Sequence, residues 1–574
     1  MQIRQLKIQN FRGIASLTWA PRDAFCCLIG AGDSGKSTIL DAAEAALNSR
    51  WFSFSESDFL ACDTSSTIEI EVTVGELSKT LKSDERFGLY IRGWTSGGEL
   101  RDEPEDDDEP VLTVRLTVDA TLEPVWELVC DRVETPRTIS NRDRALFGLV
   151  RLAGDDARHL AWGQGSVLSR LTGDNKEAAS RLAEAYRAAR DSAKLDEIES
   201  LATTATAAEG FAKSLGAYVE GHYEPGLELG RSGLSSGSIA LHDDGVPLRL
   251  AGLGTRRLAT LAIQKSAISE GAIILVDEIE HGLEPHRIIG AISQLKADQS
   301  SAAAAGAPVG QVLLTTHSDI ALAECGAQSL HVIKTSRPDR VTTAIKTEAP
   351  VPIAALMRFT PRAFFAKRIL VCEGMTEVGL LLGVREQWPS RHQGRPIEQM
   401  GVALADGNGA QAPSMALALA ALGYPTALFM DSDVPLPPPT IASLAAAGVP
   451  IYEYGSMLNT EQAIFSAASD QMVQNLLAVA RTNHGEESVS GAIFPRTGMS
   501  LATVREDFQT WELNSNLNAA QLRTAISDVA KNKKWFKELR YGREIGQIVC
   551  GIMGENNPAP LTQILLRLEQ WAYA

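Results

Sequence analysis

The stretch that most constrains this 574-residue chain is Gly30-Ala31-Gly32-Asp33-Ser34-Gly35-Lys36-Ser37-Thr38. It follows the apolar run Phe25-Cys26-Cys27-Leu28-Ile29 and precedes an amphipathic run from Thr38 to Leu47. Strand, glycine loop and helix, in that order, turn a G-x-x-x-x-G-K-[ST] match into a phosphate-binding loop. Glycines let successive backbone N–H groups face one concave nest, and the helix N-terminus adds positive potential. In such a loop Lys36 reaches the β- and γ-phosphates and Ser37 binds Mg²⁺, while Gly30, Gly32, Asp33, Ser34, Gly35 and Thr38 complete the cradle. The chain must therefore contain at least one α/β layer with a nucleotide at its edge.

The complementary parts lie far downstream. Ala272-Ile273-Ile274-Leu275-Val276 is a buried parallel strand in pattern, with Asp277 and Glu278 at its C-terminal tip. Two adjacent acids there are costly unless a cation or ligand uses them. Asp277 is expected to hold the Mg²⁺ shell, and Glu278 to orient and deprotonate the attacking water. A second buried strand, Val312 to Thr316, ends in His317. Leu250 to Arg257 opens a helical run reaching Ser269, and its Gly252 and Gly254 are placed to donate N–H groups to a γ-phosphate.

Together these pieces resemble an ABC-type ATPase head of the SMC/RecF kind, over roughly Met1 to Lys334. Gln9 to Ile14 resembles the opening turn of such heads, and Gly282 to His286 lies in the D-loop position. The resemblance makes His317 the switch histidine that reads the γ-phosphate. It makes Gln164, within His159 to Leu168, the Q-loop residue that contacts the catalytic Mg²⁺. The signature match is degenerate, because Ala251 and Arg256 stand where the family has Ser and Gln. Heads of this kind bind ATP between two protomers, so the resemblance implies a homodimer.

Within that half, Met1 to Leu17 alternates apolar and polar residues, as do Ile68–Val74, Val111–Val118 and Trp126–Val129. Alternation predicts antiparallel strands with one wet face. The acidic run Arg101 to Pro110 is expected to be a solvated loop, since like charges repel and extend the chain. Asn175 to Leu215 is Ala-, Glu-, Lys- and Arg-rich, with apolar residues at helical spacing. It is too short for the coiled-coil arms of SMC proteins, which leaves a self-associating hairpin or a core-packed helical pair.

A second constellation follows Thr360. Lys367-Arg368-Ile369-Leu370-Val371-Cys372 runs into Glu373-Gly374-Met375-Thr376-Glu377, and Thr426-Ala427-Leu428-Phe429-Met430 runs into Asp431-Ser432-Asp433. Tips of parallel strands converge on one sheet edge, and spacing of two puts Asp431 and Asp433 on the same side. Carboxylates gathered in this way repel unless divalent cations neutralise them, and oxygen donors suit Mg²⁺ or Mn²⁺. Asp406 closes an intervening strand as a ligand or as a turn-former, and Glu461 starts a later helix as a candidate further ligand. Lys531 to Lys537, with Arg540 and Arg543, is the densest basic cluster; it suits a phosphate backbone or a solvated helix face.

The E-G-x-T-E and D-x-D strand tips resemble the Toprim domain. An ABC-type head followed by a C-terminal Toprim domain resembles the OLD (overcoming lysogenisation defect) family of nucleases, across nearly the whole chain. That resemblance implies double-stranded DNA as substrate and two metal ions at the Toprim site, beside the one with ATP. Glu373, Asp431 and Asp433 would hold one ion, Glu377 with Glu461 would help hold the other, and Lys534 or Lys537 would assist the chemistry. It also implies a homodimer or homotetramer. Some relatives work in Gabija phage defence beside a UvrD-type helicase.

The expected architecture is α/β. It comprises an N-terminal ATPase lobe (1–165), a helical insertion (166–225), a C-terminal ATPase lobe (226–345), and a Toprim domain with a parallel sheet and a basic helical end (346–574). Net charge is −17, so contact with nucleic acid must come from local cations or metal ions. Seven cysteines without C-x-x-C spacing, no apolar leader and no bilayer-length apolar run suit a cytoplasmic protein. Two other functions fit the same residues. A topoisomerase- or primase-like Toprim enzyme is one, although no separate domain bearing a nucleophilic Tyr follows the Toprim motifs. The other is an ATP-dependent DNA sensor with idle carboxylates.

Overall fold

The computed structural model describes every residue except 50–51, 153–156, 163–165, 167, 169–171, 173–194, 228–238, 269–270, 500, 505–506 and 552–558. The chain forms two compact units, Met1–Lys346 and Thr347–Ala574.

The first unit holds two large sheets. One is antiparallel and includes Gln2–Phe11, Ile14–Trp19, Ile68–Gly75, Glu109–Val118 and Pro124–Val129. Its alternating residues do what alternation requires: Ile68, Ile70, Val72 and Val74 are buried, while Glu69 and Glu71 face outward. The other sheet runs Val150–Leu152, Ile273–Val276, Gln311–Thr315, Phe25–Ile29, Leu330–Thr335, Thr342–Lys346. Only its last pairing is antiparallel. Strands Ile273–Val276 and Phe25–Ile29 are buried throughout, as continuous apolar runs in a parallel sheet demand.

Helix Lys36–Leu47 packs against the antiparallel sheet, and the Trp126 indole N–H donates to the Ala45 carbonyl at 2.9 Å. The acidic run is more folded than like-charge repulsion predicts. Asp102 pairs with Arg92 at 2.8 Å, Glu105 with Arg101 at 2.5 Å, and the Asp108 side chain is nearly buried. Two arginines from the same sheet offset the repulsion that would otherwise extend the loop. Of the expected helical insertion, Glu199–Ser214 is a helix whose buried face carries Leu201, Ala205, Ala208 and Ala212. Residues 175–194 of that stretch lie outside the described residues.

The second unit is built on a four-stranded parallel sheet ordered Val402–Asp406, Arg368–Cys372, Thr426–Met430, Ile451–Glu453. Helices cover it, among them Met375–Val384, Thr460–Ala467, Ala519–Asn532, Leu539–Val549 and Pro560–Tyr573. Trp535 and Phe536 are buried in this core, so the two aromatics inside the basic cluster are packing groups and are closed to bases. No helix among the described residues is long and apolar enough to cross a membrane.

Candidate nucleotide and carboxylate sites

In the first unit, strand Phe25–Ile29 delivers the chain into the glycine loop. A Cβ on Gly30 would lie 2.4 Å from the Ile333 carbonyl oxygen, so only glycine lets the loop start against the neighbouring strand. Asp33 (φ 60°) and Gly35 (φ 89°) take left-handed conformations that turn the loop into helix Lys36–Leu47. The Lys36 side chain folds back into the loop. It donates to the Gly30 carbonyl at 3.2 Å, the Ala31 carbonyl at 3.0 Å and Ser34 Oγ at 3.3 Å. Burial lowers its pKa, against the pull of Asp277, Asp33 and Glu278. A cation resting on its own loop's carbonyls fits a site made for phosphate oxygens.

Ser37, one turn-edge along with half-buried Thr38, donates to Asp277 Oδ1 at 3.0 Å. Thr315 Oγ1 donates to the same oxygen at 2.6 Å, and Arg151 Nη2 to Asp277 Oδ2 at 2.9 Å. Glu278 has φ 45°, a half-exposed side chain and an N–H bonded to Thr315 Oγ1 at 2.9 Å. His317 is exposed, and its backbone N–H donates to Glu280 Oε1 at 2.6 Å. Gly252 precedes helix Leu253–Ile268, and a Cβ on Gly254 would meet the Gly282 carbonyl at 2.7 Å. The glycine turn thus packs on the D-loop segment of its own chain. Gln164 lies outside the described residues. The structure brings Lys36, Ser37 and Asp277 to one sheet edge and adds Arg151 and Thr315, which the motif does not contain.

In the second unit, strand Arg368–Cys372 is central, so the residues after its tip and after Met430 are neighbours. Glu373 N–H donates to the Phe429 carbonyl at 2.8 Å, and Glu373 Oε2 accepts the Asp431 N–H at 3.0 Å. Asp431 lies close enough to Asp433 to feel its charge. Its pKa is pushed up to about 8 by burial, then by the charges of Glu373 and Asp433. Burial alone would also raise Asp433, yet its pairing with the Lys531 ammonium holds the carboxyl below its ordinary range.

Glu377 is buried at the start of helix Met375–Val384. Its Oε2 accepts the Gly374 N–H at 3.0 Å, and its Oε1 accepts from Thr460 Oγ1 at 2.6 Å. Burial lifts its pKa to about 7, with Glu373 and Glu461 adding to the rise. Glu461 is buried in the first turn of helix Thr460–Ala467, and burial raises it too, opposed by Lys537 and Lys531. Asp406 is the register partner of Cys372, but its Oδ1 accepts the Asn408 N–H at 3.0 Å. That geometry is an Asx turn, which favours the turn-forming alternative.

Of the candidate lysines, Lys537 acts on Glu461 through its charge. Lys534 sits in a turn (φ 56°) with its N–H on the Lys531 carbonyl at 3.1 Å. The lysine that touches an acid of the cluster is Lys531, which the basic run contains but spacing alone does not single out. The donors are all carboxylate oxygens, three carboxyls are pushed toward their neutral form, and one ammonium, that of Lys531, pairs directly with the group. That balance fits hard divalent cations.

A third cluster, Asp23, Cys26 and His331, brings ligand-type atoms within 4.8 Å of one another. The Trp19 indole N–H points at His331 Nδ1 at 3.4 Å, which leaves Nε2 as the protonated nitrogen, 3.7 Å from Asp23 Oδ2. Lys346 completes the charge balance on Asp23 at 2.5 Å. Asp23 is thus held in an ion pair with Lys346, with His331 and Cys26 beside it.

Comparisons with known proteins agree with this division. A family model described as an AAA ATPase domain matches residues 1–90, and one described as an AAA domain, putative AbiEii toxin, Type IV TA system, matches residues 161–323. A model described as the TOPRIM domain of overcoming lysogenization defect-like proteins matches residues 364–433. No curated protein matches the chain. Solved structures similar to it include an SMC head bound to the C-terminal winged-helix domain of ScpA, at 16% identity over 60% of this chain and 97% of that one, with TM-score 0.36. Others are a Pyrococcus furiosus SMC head with an extended coiled coil bound to the ScpA C-terminal domain (14%, 60% and 96%, TM-score 0.37) and a Thermotoga maritima SMC head (17%, 61% and 100%, TM-score 0.29). Superpositions this loose decide nothing about the present chain. In one chain, an ATPase region matched in two parts is followed by an OLD-like Toprim domain.

Proposed function

We propose that the protein is an ATP-binding, divalent-metal-dependent endonuclease acting on double-stranded DNA. The observation that carries this reading is the Glu373 carboxylate accepting the Asp431 N–H at 3.0 Å, with Asp433 and Lys531 beside them. In this reading Glu373, Asp431 and Asp433 hold one Mg²⁺ or Mn²⁺, and buried Glu377 and Glu461 help hold a second. When bound, the ions supply an activated water for in-line attack on the phosphodiester and stabilise the leaving 3′-oxygen. The chain's own part is positional. Gly374 and Thr460 fix both oxygens of Glu377, and the backbone bond ties Glu373 to Asp431. Lys531 is the ammonium at the acids, with Lys534 and Lys537 on the same basic segment for the phosphate backbone.

The head would bind ATP and Mg²⁺ through the loop at Gly30–Thr38 and Asp277. Glu278 would serve as the base, His317 as the switch, and Gly252 and Gly254 would act on a partner's nucleotide in a homodimer. ATP-driven closure of that dimer would gate cutting. Antiphage defence, tetramers and a UvrD-type helicase partner extend the reading by family resemblance.

The test is incubation of purified protein with supercoiled and linear DNA, with Mg²⁺ or Mn²⁺, with and without ATP, beside Glu377→Ala and Asp431→Ala. Metal-dependent cutting lost in both variants supports the reading. Cutting unchanged in both variants removes the metal assignment, and no cutting by the wild type favours the sensor function.

A further inference from the structure

Arg151 lies on strand Val150–Leu152, in register with Leu275 of the strand that ends at Asp277. Its side chain is 1% exposed. Nη2 donates to Asp277 Oδ2 at 2.9 Å and to Asp41 Oδ1 at 2.8 Å. A guanidinium does not lose its proton in a protein, so a buried one must be matched by fixed negative charge. Here two carboxylates share it.

Both carboxylates have other partners. Asp277 Oδ1 takes Ser37 Oγ and Thr315 Oγ1. Asp41 also pairs with Arg12, whose Nε donates to Asp58 at 2.9 Å. Helix Lys36–Leu47 supplies Ser37 and, four residues on, Asp41, so one face presents a hydroxyl and a carboxylate to the same arginine–aspartate pair. The result is a line of alternating charge: Asp277, Arg151, Asp41, Arg12, Asp58. Nothing in the phosphate-loop chemistry calls for a buried arginine on the acid that serves the nucleotide's cation.

We propose that Arg151 is a built-in cation that competes with Mg²⁺ for Asp277 at the nucleotide site, and that Asp41 sets the strength of the competition by drawing Arg151 toward itself. This rests on reading Gly30–Thr38 and Asp277 as an ATP–Mg²⁺ site. Without Arg151 the full charge of Asp277 is open to the ion. Without Asp41 the arginine bears more strongly on Asp277, and the ion meets a more neutralised carboxylate. The two substitutions therefore move Mg²⁺ dependence in opposite directions, which a merely structural role for the pair does not do.

The experiment measures binding of a fluorescent ATP analogue to the full chain as a function of MgCl₂, with thermal melts to confirm folding. R151Q is expected to lower the half-saturating Mg²⁺ by about threefold or more, and D41N to raise it by about threefold or more. R151K, which keeps the charge, should lie nearer the wild type than R151Q does. Shifts in the same direction, or no shift in either variant, overturn the proposal. Should R151Q not fold, D41N decides alone, and an unchanged or lowered Mg²⁺ requirement in it overturns the proposal. Absence of analogue binding by the wild type, matching a Lys36→Ala control, overturns the nucleotide-site reading and this proposal with it. Binding with unmoved Mg²⁺ dependence overturns only the proposal.

Discussion

Gly379 and Gly542 meet backbone to backbone: a Cβ built on Gly379 would lie 2.6 Å from the Gly542 Cα. One turn along, a Cβ on Gly383 would sit 2.3 Å from the Arg543 carbonyl oxygen, and one on Gly546 would sit 2.3 Å from that of Leu380. Helices Met375–Val384 and Leu539–Val549 therefore cross with no side chains between them, and the first of these carries Glu377. Gly542→Ala should push the helices apart and cost about 1–3 kcal/mol in denaturant melts, as overpacking does. Gly491→Ala is the control in the same unit. It lies in helix Glu486–Thr497 with nothing within 4 Å of its Cβ position, and should stabilise by about 0.5–1 kcal/mol.

Glu569 anchors the last helix. Its buried carboxylate accepts Arg391 Nε at 2.9 Å and Nη2 at 2.7 Å, with His392 Nε2 at 3.0 Å. Removing one partner strands the other in a low-dielectric site. Arg391→Ala should destabilise the protein by roughly 3 kcal/mol because it strands the buried Glu569 carboxylate, and Glu569→Ala by less, because the arginine it leaves behind is over a third exposed. A double-mutant cycle from urea melts should show coupling between them. Strict additivity would mean that the pair contributes only its separate packing.

What was legible in the chain was local chemistry at strand ends. The loop at Gly30, the acids after Val276 and the acids after Cys372 and Met430 each follow a short apolar run directly, so pattern and site coincide. The pairing of Lys531 with Asp433 spans 98 residues, and no spacing rule reaches that far. Trp535 and Phe536 sit among lysines in the chain. The turn at Lys534 folds them under helix Ala519–Asn532 into the core, a tertiary choice that charge pattern does not encode. Arg151 was hidden for the opposite reason: a cation between Val150 and Leu152 in a buried strand has no periodic signature, and only the carboxylates of Asp41 and Asp277 explain it.

Lys531 and Lys534 can be separated by experiment. Lys531 is the one paired with Asp433 and adds positive charge near Asp431 and Glu461. Lys531→Ala should slow metal-dependent DNA cutting by about 10- to 100-fold at saturating DNA. Lys534→Ala should chiefly weaken DNA binding, with a shallower salt dependence, as loss of one phosphate contact does. Equal turnover in Lys531→Ala and wild type would remove that lysine from the chemistry.

Glu377 makes stability depend on pH and on metal together. Its carboxyl titrates near 7 in the folded chain, raised by burial, against about 4.3 for an ordinary glutamate. Below pH 4 both folded and unfolded chains hold the proton, and the group is neutral toward stability. Between about pH 4 and 7 the unfolded chain releases its proton and the folded chain keeps it, so stability falls as pH rises; above 7 the loss is constant. A shift of this size corresponds to on the order of 3 kcal/mol. Glu377→Gln should therefore raise the melting temperature of metal-free protein at pH 8 and leave it nearly unchanged at pH 4. Saturating Mg²⁺ should reverse the order at pH 8, because the wild type gains an ion that the variant binds poorly. Melts of both proteins at the two pH values, with EDTA or with Mg²⁺, check each sign. A Glu377→Gln protein that Mg²⁺ stabilises as fully as the wild type would show that this carboxylate does not serve the cation.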